Sequence, residues 1–362
     1  MAFKLNDDQT ALRDALRDFL GEKITSEYRR ARAEGVVESD PELWGGLQGL
    51  GLFELFAPDG ESGVAELAIV AHEFGRAVAP ESLVDALVGG PFMIDHLLTA
   101  EEREGVRVHL GAEFLDGVRR GACRVGLALN NGSAAAPLVE RGRGETVRVD
   151  GEFHFVTAPG DIDALLVRGE AGMLLCDLTT GKEQSVEVAP TALIDATMKA
   201  GKVELKNAAA LRLKSAETLP AIVRVLRAAE MSGAVTRAVE MTVDYVKTRK
   251  QFGVPIGGFQ AVQHRLADMY ANAEALRALT AFAAWSADCS RDQLELSSHA
   301  ACRFACDVSG EIIEGAIQLH GGIGFTWEYD LHYFLRRVKA IEALWSPSET
   351  EHQAIIEAAH GG

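Results

Sequence analysis

The period of the hydrophobic residues changes twice along these 362 residues, and that change restricts the fold more than any other feature. After Asn6, apolar side chains recur at three- and four-residue steps (Leu12, Leu16, Phe19, Leu20), and Gln9 stands where a capping box needs it, so a helix is predicted. Asp40-Pro41 repeats the start signal, Leu43, Leu47 and Leu50 form the stripe, and Gly51 stands where a helix would stop. Residues 65–79, 81–88 and 91–98 continue in helical style, with Gly89-Gly90 as a break between the last two. Residues 1–118 therefore read as a helical domain.

From residue 119 to 215 the pattern becomes short β-rich runs separated by Gly, Pro and Asp, at 123–129, 146–149, 152–157, 164–168, 173–177, 185–188 and 202–205. This predicts a small β-barrel or sandwich, with a hairpin turn at Asp150-Gly151 by the Asp-Gly rule. The helical period then returns and persists through residues 219–250, 261–288, 294–319 and 331–344. Residues 216–362 read as a four-helix bundle, which makes the fold class α+β with three domains: helical, β and helical.

Composition narrows the function. A net charge of −17 disfavours nucleic acid and anionic membranes, both of which need a basic field. No segment approaches the ~20 apolar residues of a membrane helix. The acidic start, Asn6-Asp7-Asp8, lacks the basic residues and apolar run of a secretion signal, which places the chain in the cytoplasm. Five cysteines without framework spacing suit a reducing compartment. His299, Cys302 and Cys306 share a helical face, but three ligands from one helix make a poor zinc site, so no metal is expected.

Two C-terminal segments carry chemistry. In Arg249-Lys250-Gln251-Phe252-Gly253 a helix ends in two cations, and a Gly- and Pro-punctuated loop leads on to Phe259-Gln260. A guanidinium bonds two phosphate oxygens at once, and Phe252 can lie against an aromatic base. By composition alone the same residues read as a helix cap and a solvated loop. Gln318-Leu319-His320-Gly321-Gly322-Ile323-Gly324-Phe325-Thr326 is a glycine cluster after an apolar helix, suited to close approach of a ligand to the backbone. It lacks the preceding strand of a dinucleotide fingerprint.

Together these segments resemble the acyl-CoA dehydrogenase family, and the helical, β and helical order matches its architecture. The resemblance implies FAD as cofactor and an acyl-CoA as substrate. It also implies that Arg249, Gln251, Phe252, Phe259, Gln260, Gln318, Gly321 and Gly322 line the pyrophosphate and adenosine half of a FAD seated in a neighbouring subunit. Phe155-Val156-Thr157 resembles the family's Trp-Ile-Thr, so Thr157 would meet the flavin edge, and Arg224 resembles a substrate-side arginine.

The resemblance also exposes losses. Most members carry the catalytic base on a Glu before Gly-Thr, where this chain has Trp345-Ser346-Pro347. A minority place it one residue before the equivalent of Arg224, where Val223 stands. Glu230 is seven residues on, about 10 Å along the helix. Glu342 and Glu349 flank Trp345. The family's Thr-Glu-Pro-x-Ala-Gly-Ser-Asp loop is replaced within residues 126–136. Residues lent to a neighbour's FAD are kept, and residues serving a site within this chain are lost.

That one-sidedness resembles heteromeric actinobacterial dehydrogenases of steroid side chains, in which two related subunits form an α2β2 tetramer. The segment from Ile323 to His332 resembles that branch too. The reading is a subunit without catalytic residues of its own that completes the FAD site of a catalytic partner acting on a bulky, steroid-derived acyl-CoA. The alternatives are a homomeric dehydrogenase whose base has moved to Glu342 or Glu230, and a non-enzymatic acyl-CoA-binding or scaffold protein.

Overall fold

The computed structural model describes residues 4–37, 40–57, 60, 62–80, 83–129, 138–142, 144–179 and 186–346, with residues 353 and 356. In chain order its helices are α1 (Asp7–Lys23), α2 (Ser26–Ala33), α3 (Pro41–Gly49), α4 (Val64–Ala77), α5 (Leu83–Leu87) with a π-helical continuation (Val88–Leu97), α6 (Ala100–Leu110) and α7 (Ala112–Arg119). Strands β1 (Val125–Ala128), β2 (Val139–Arg141), β3 (Thr146–Thr157), β4 (Ala164–Gly169), β5 (Gly172–Asp177), β6 (Val186–Thr191) and β7 (Ala200–Leu213) come next. The chain closes with α8 (Leu219–Thr248), the short strands β8 (Lys250–Gln251) and β9 (Val254–Pro255), α9 (Gln260–Cys289), α10 (Arg291–His320) and α11 (Leu331–Trp345). Two compact units result: Met1–Val36, Val64–Ala79 and Arg224–Gly362 form one, and Val37–Gly63 and Pro80–Val223 form the other.

In the first unit, α1 begins at the expected box: the Asn6 side chain accepts the Gln9 N–H at 2.7 Å and the Gln9 side chain accepts the Asn6 N–H at 3.1 Å. Leu16 and Leu20 form its buried face. Helices α4 and α8 touch through their backbones, because a Cβ on Gly75 would lie 1.8 Å from the Glu230 carbonyl oxygen and one on Gly233 would lie 1.8 Å from that of His72. Helices α9 and α10 form a hairpin at Ser290, whose φ of −150° and ψ of 67° interrupt the helix. The Asp288 carboxylate, at the end of α9, accepts the Val64 and Ala65 N–H groups at 2.8 and 3.0 Å and so caps α4.

In the second unit, α3 starts at Asp40, whose carboxylate accepts the Leu43 N–H at 2.9 Å. The Trp44 indole donates to the Gly121 carbonyl at 2.8 Å and lies under the Arg124 guanidinium. The β segments join one seven-stranded sheet in the order β1-β4-β5-β7-β3-β2, with β6 also pairing β7. Only the β1–β4 pair is parallel among the described strands of this sheet. Val149, Phe153, Leu165, Leu174 and Val203 fill the core on the sheet.

One local expectation is corrected by the fold and one is met. Asp150-Gly151 does not turn the chain, because β3 runs unbroken from Thr146 to Thr157 against β7. Neither residue takes the left-handed conformation that a two-residue hairpin needs; instead Lys206 and Asn207 bulge opposite Asp150, with Asn207 at φ 54° and its N–H bonded to the Asp150 carboxylate at 3.0 Å. The break expected at Gly89-Gly90 is present, since Gly90 is non-helical (φ −101°, ψ −108°) and two helices meet across the kink there. These glycines allow close packing, since a Cβ would meet the Leu127 side chain at 2.8 Å from Gly89 and that of Val118 at 2.9 Å from Gly90.

Candidate cofactor edge

The end of α8 is built to project side chains outward. The Arg249 N–H bonds the Tyr245 carbonyl at 2.8 Å, and the chain then folds back as the β8–β9 hairpin. Phe252 (φ 54°) and Gly253 (φ 84°) both occupy left-handed space, as the favoured two-residue hairpin turn requires. That conformation is costly for a phenylalanine, and the ring is also 92% exposed. Its ring contact is an edge with Phe259, 6.2 Å away. An aromatic held in strained backbone and in water adds little to the chain's own stability and leaves its face open to a ligand.

Arg249, Gln251, Phe259 and Gln260 are exposed on the same hairpin and at the start of α9. The Arg249 side chain has no hydrogen-bond or ion-pair partner among the described residues. Gln318 is exposed in the last turn of α10, and Gly321 comes after it at φ 63° and ψ −141°. A Cβ on Gly321 or Gly322 would meet nothing within 4 Å, whereas one on Gly324 would strike the Ile317 carbonyl at 2.6 Å. Gly324 is therefore a packing glycine, and Gly321 and Gly322 leave open backbone. The Tyr245 hydroxyl joins the two segments by donating to the His320 carbonyl at 3.2 Å.

These donors fit the diphosphate and adenosine half of a FAD: a free guanidinium for phosphate oxygens, bare backbone for close approach, and an exposed ring for stacking. Thr157 belongs to the second unit, buried at the end of β3, where its hydroxyl donates to the Asp85 carboxylate at 2.6 Å. Asp85 is equally buried, so the Thr157 proton is committed within the second unit.

The positions where a base would stand hold no group that can take a proton. Val223 is fully buried, and Trp345 ends α11 with the Arg227 guanidinium 5.5 Å over its ring and the Cys302 thiol on its carbonyl at 3.3 Å. Glu230 is buried with both oxygens engaged, one by Arg227 and one by Arg337, each at 2.9 Å. Arg337 also donates to the Ala79 carbonyl at 2.9 Å. Glu342 is 34% exposed and pairs with Lys339 at 3.0 Å. Glu349 and residues 130–136 lie outside the described residues. Arg224 is held by Glu295 at 2.6 Å and Ser298 at 3.3 Å.

His299 is turned to Glu295 at 3.1 Å, and no group of three metal-binding side chains occurs among the described residues. No described helix is long and apolar enough to cross a membrane. Sequence reasoning missed Tyr245, Arg227, Arg337 and Asp85. Tyr245 stands one helical turn before Arg249, which was a usable signal; Asp85 meets Thr157 from 72 residues away, which was not.

Residues 6–105 match the N-terminal domain of acyl-CoA dehydrogenases, and residues 213–359 match their C-terminal domain. The acyl-CoA dehydrogenase IpdE2 of Mycobacterium tuberculosis is 30% identical over 355 residues, covering 93% of this chain and 94% of that protein. FadE34 of the same organism is 29% identical over 94% of this chain but 46% of its own length, so the chain spans about half of that relative. Of the solved structures, the Tcur3481–Tcur3483 steroid ACAD variant superposes with a TM-score of 0.85 at 28% identity, covering 98% of this chain and 99% of that one. The ChsE4–ChsE5 complex from Mycobacterium tuberculosis gives 0.83 at 25% identity, covering 99% of each chain. Butyryl-CoA dehydrogenase from Megasphaera elsdenii gives 0.84 at 20% identity over 99% of this chain and all of that one, a likeness of fold.

Proposed function

Because this chain belongs to the acyl-CoA dehydrogenase family, we propose that it is the subunit without a catalytic base in a heteromeric FAD-dependent acyl-CoA dehydrogenase, and that it completes the flavin site of a related catalytic subunit. One observation carries the reading: the residues at the family's base positions have no proton-accepting atom, while the edge from Arg249 to Gly253 and from Gln318 to Gly322 stands open. Valine has no lone pair, and an indole N–H only donates. The two-component Tcur3481–Tcur3483 and ChsE4–ChsE5 structures support a heteromer, and the first, a steroid ACAD, also supports a steroid acyl-CoA as substrate.

FAD, when bound, accepts the hydride that leaves the acyl chain. This chain's part is binding and orientation. Arg249 offers a planar fork to phosphate oxygens, Gln251 and Gln318 offer amide donors and acceptors, and Phe252 and Phe259 offer aromatic faces to the adenine. The α-proton passes to a carboxylate on the partner. Glu230 does not substitute for it, because both of its oxygens already accept guanidinium N–H groups inside the first unit.

Co-expression with the catalytic partner tests the reading. The complex should carry about one flavin for every two chains, as a two-fold symmetric heterotetramer with one site per pair requires. The purified single chain should bind little FAD and form no enoyl-CoA. Full flavin loading and turnover by the single chain would overturn the proposal. In that event Glu342→Gln should slow turnover by ~10²-fold if the base has moved there.

A further inference from the structure

We propose that Tyr245 is a clamp that sets the spacing and backbone orientation of the two cofactor-edge segments, with His320 as its stacking partner. The inference rests on the reading that this edge holds FAD, and it assigns a positioning role to residues that the edge itself does not expose.

Tyr245 reaches both segments from its two ends. Its backbone carbonyl accepts the Arg249 N–H at 2.8 Å, which fixes the first residue beyond α8. Its hydroxyl donates to the His320 carbonyl at 3.2 Å, which fixes the last residue of α10. The two rings stack with centroids 4.2 Å apart, and Tyr329 packs against both, 4.5 Å from the His320 ring and 6.2 Å from that of Tyr245. One residue, by its backbone on one side and its side chain on the other, therefore ties the hairpin that carries Arg249 to the turn that carries Gly321 and Gly322.

The residues just after His320 are where the clamp acts. The carbonyl groups in the last turn of a helix lack intrahelical partners, and the Tyr245 hydroxyl satisfies that of His320. The next two residues are glycines with open space around them, at the start of the 3-10 turn Gly321–Phe325, and the Gly321 N–H bonds the Gln318 carbonyl. The His320–Gly321 peptide is thus held at both ends, its N–H by the Gln318 carbonyl and its C=O by the Tyr245 hydroxyl, and loss of the hydroxyl loosens one of the two restraints on the backbone groups that face the ligand.

His320 is shaped for the same task. Its Nδ1 lies 2.8 Å from the Ala316 carbonyl and must carry the proton, which leaves Nε2 as a bare acceptor. That nitrogen is buried and has no hydrogen-bond partner among the described residues. A buried unpaired acceptor is a cost that an apolar side chain would avoid. An imidazole offers in return a flat face for Tyr245 and a ring hydrogen bond that locks its own orientation.

Tyr245→Phe removes the hydroxyl and keeps the ring. In the co-expressed complex it should weaken FAD binding about fivefold to tenfold, the effect of losing one neutral hydrogen bond, while turnover per bound flavin stays at the wild-type value. In the isolated full chain, hydrogen exchange should quicken at Gly321 and Gly322 with no fall in thermal midpoint. Tyr245→Leu, which also loses the stack, should weaken FAD binding further. Unchanged FAD affinity and unchanged exchange in Tyr245→Phe would overturn the clamp alone. A wild-type complex that binds no FAD would overturn the clamp together with the functional reading it rests on.

Discussion

Arg337 and Glu230, 107 residues apart in sequence, form a buried ion pair at 2.9 Å that ties the middle of α8 to α11, with side chains 1% and 5% exposed. The arrangement is saturated, since Arg227 takes the other Glu230 oxygen and the Ala79 carbonyl takes the other Arg337 nitrogen. Such a pair contributes little relative to an apolar core, but removing Arg337 leaves a buried Glu230 oxygen without its charged donor, with Arg227 alone on the other. Arg337→Leu should lower the unfolding free energy by about 3–5 kcal/mol, read from the urea midpoint at unchanged m-value. A loss below about 1 kcal/mol would show that Arg227 alone suffices to balance Glu230.

The contact of α4 with α8 predicts a second effect. An alanine at position 233 would place its Cβ 1.8 Å from the His72 carbonyl oxygen, against backbone that cannot rotate away. Gly233→Ala should cost about 3 kcal/mol or more, at the upper end of overpacking changes, and Gly75→Ala should do the same. Gly322→Ala, at a position with open space, should leave stability nearly unchanged. Thermal midpoints of the three variants decide it.

At the cofactor edge, stability and binding should separate. Arg249 and Phe252 are exposed, so Arg249→Gln and Phe252→Ser should shift stability by no more than about 0.5 kcal/mol. In the complex, Arg249→Gln should weaken FAD binding by about 10- to 100-fold, the size of a lost charged hydrogen bond. Flavin absorbance after gel filtration reads the loss. Retention of full flavin by both variants would show that the edge holds no FAD.

Acid stability should report Glu73. Burial pushes its carboxyl up, but hydrogen bonds and charge from His72 and Arg17 outweigh this and hold it at about 2, below the ordinary 4.5. A depressed carboxyl favours the fold when ionised. Its contribution, roughly 2–3 kcal/mol, is complete above pH 4.5, declines as acid protonates it, and is gone below about pH 2. Glu73→Gln should flatten the stability profile across that window and lower stability at neutral pH, measured by urea unfolding from pH 2 to pH 7.

The legible parts of this molecule are those in which neighbours in sequence act on one another. The Asn6–Gln9 box, the Asp40-Pro41 start and the helical stripes near both ends could be read directly, because caps and the 3.6 period are local. Asp150-Gly151 shows the limit. The dipeptide has the chemistry of a hairpin turn, but pairing along the whole of β7 outweighs it, and the irregularity is taken up as a bulge at Asn207. Gly89-Gly90 was legible as a break, but that it also lets side chains of β1 and α7 approach the chain there depends on packing.

The sequence by itself determined the order of helical and β segments, the absence of a carboxylate at positions 223 and 345, and the presence of cation, aromatic and glycine residues at 249–253 and 318–322. These are matters of residue type and of spacing within a few turns. Only the tertiary structure decided that Glu230 is locked between two arginines, that the Thr157 hydroxyl faces Asp85, and that Tyr245 joins the two edge segments. Each depends on groups roughly 70 to 110 residues apart, where chain entropy leaves contact undetermined until the cores pack.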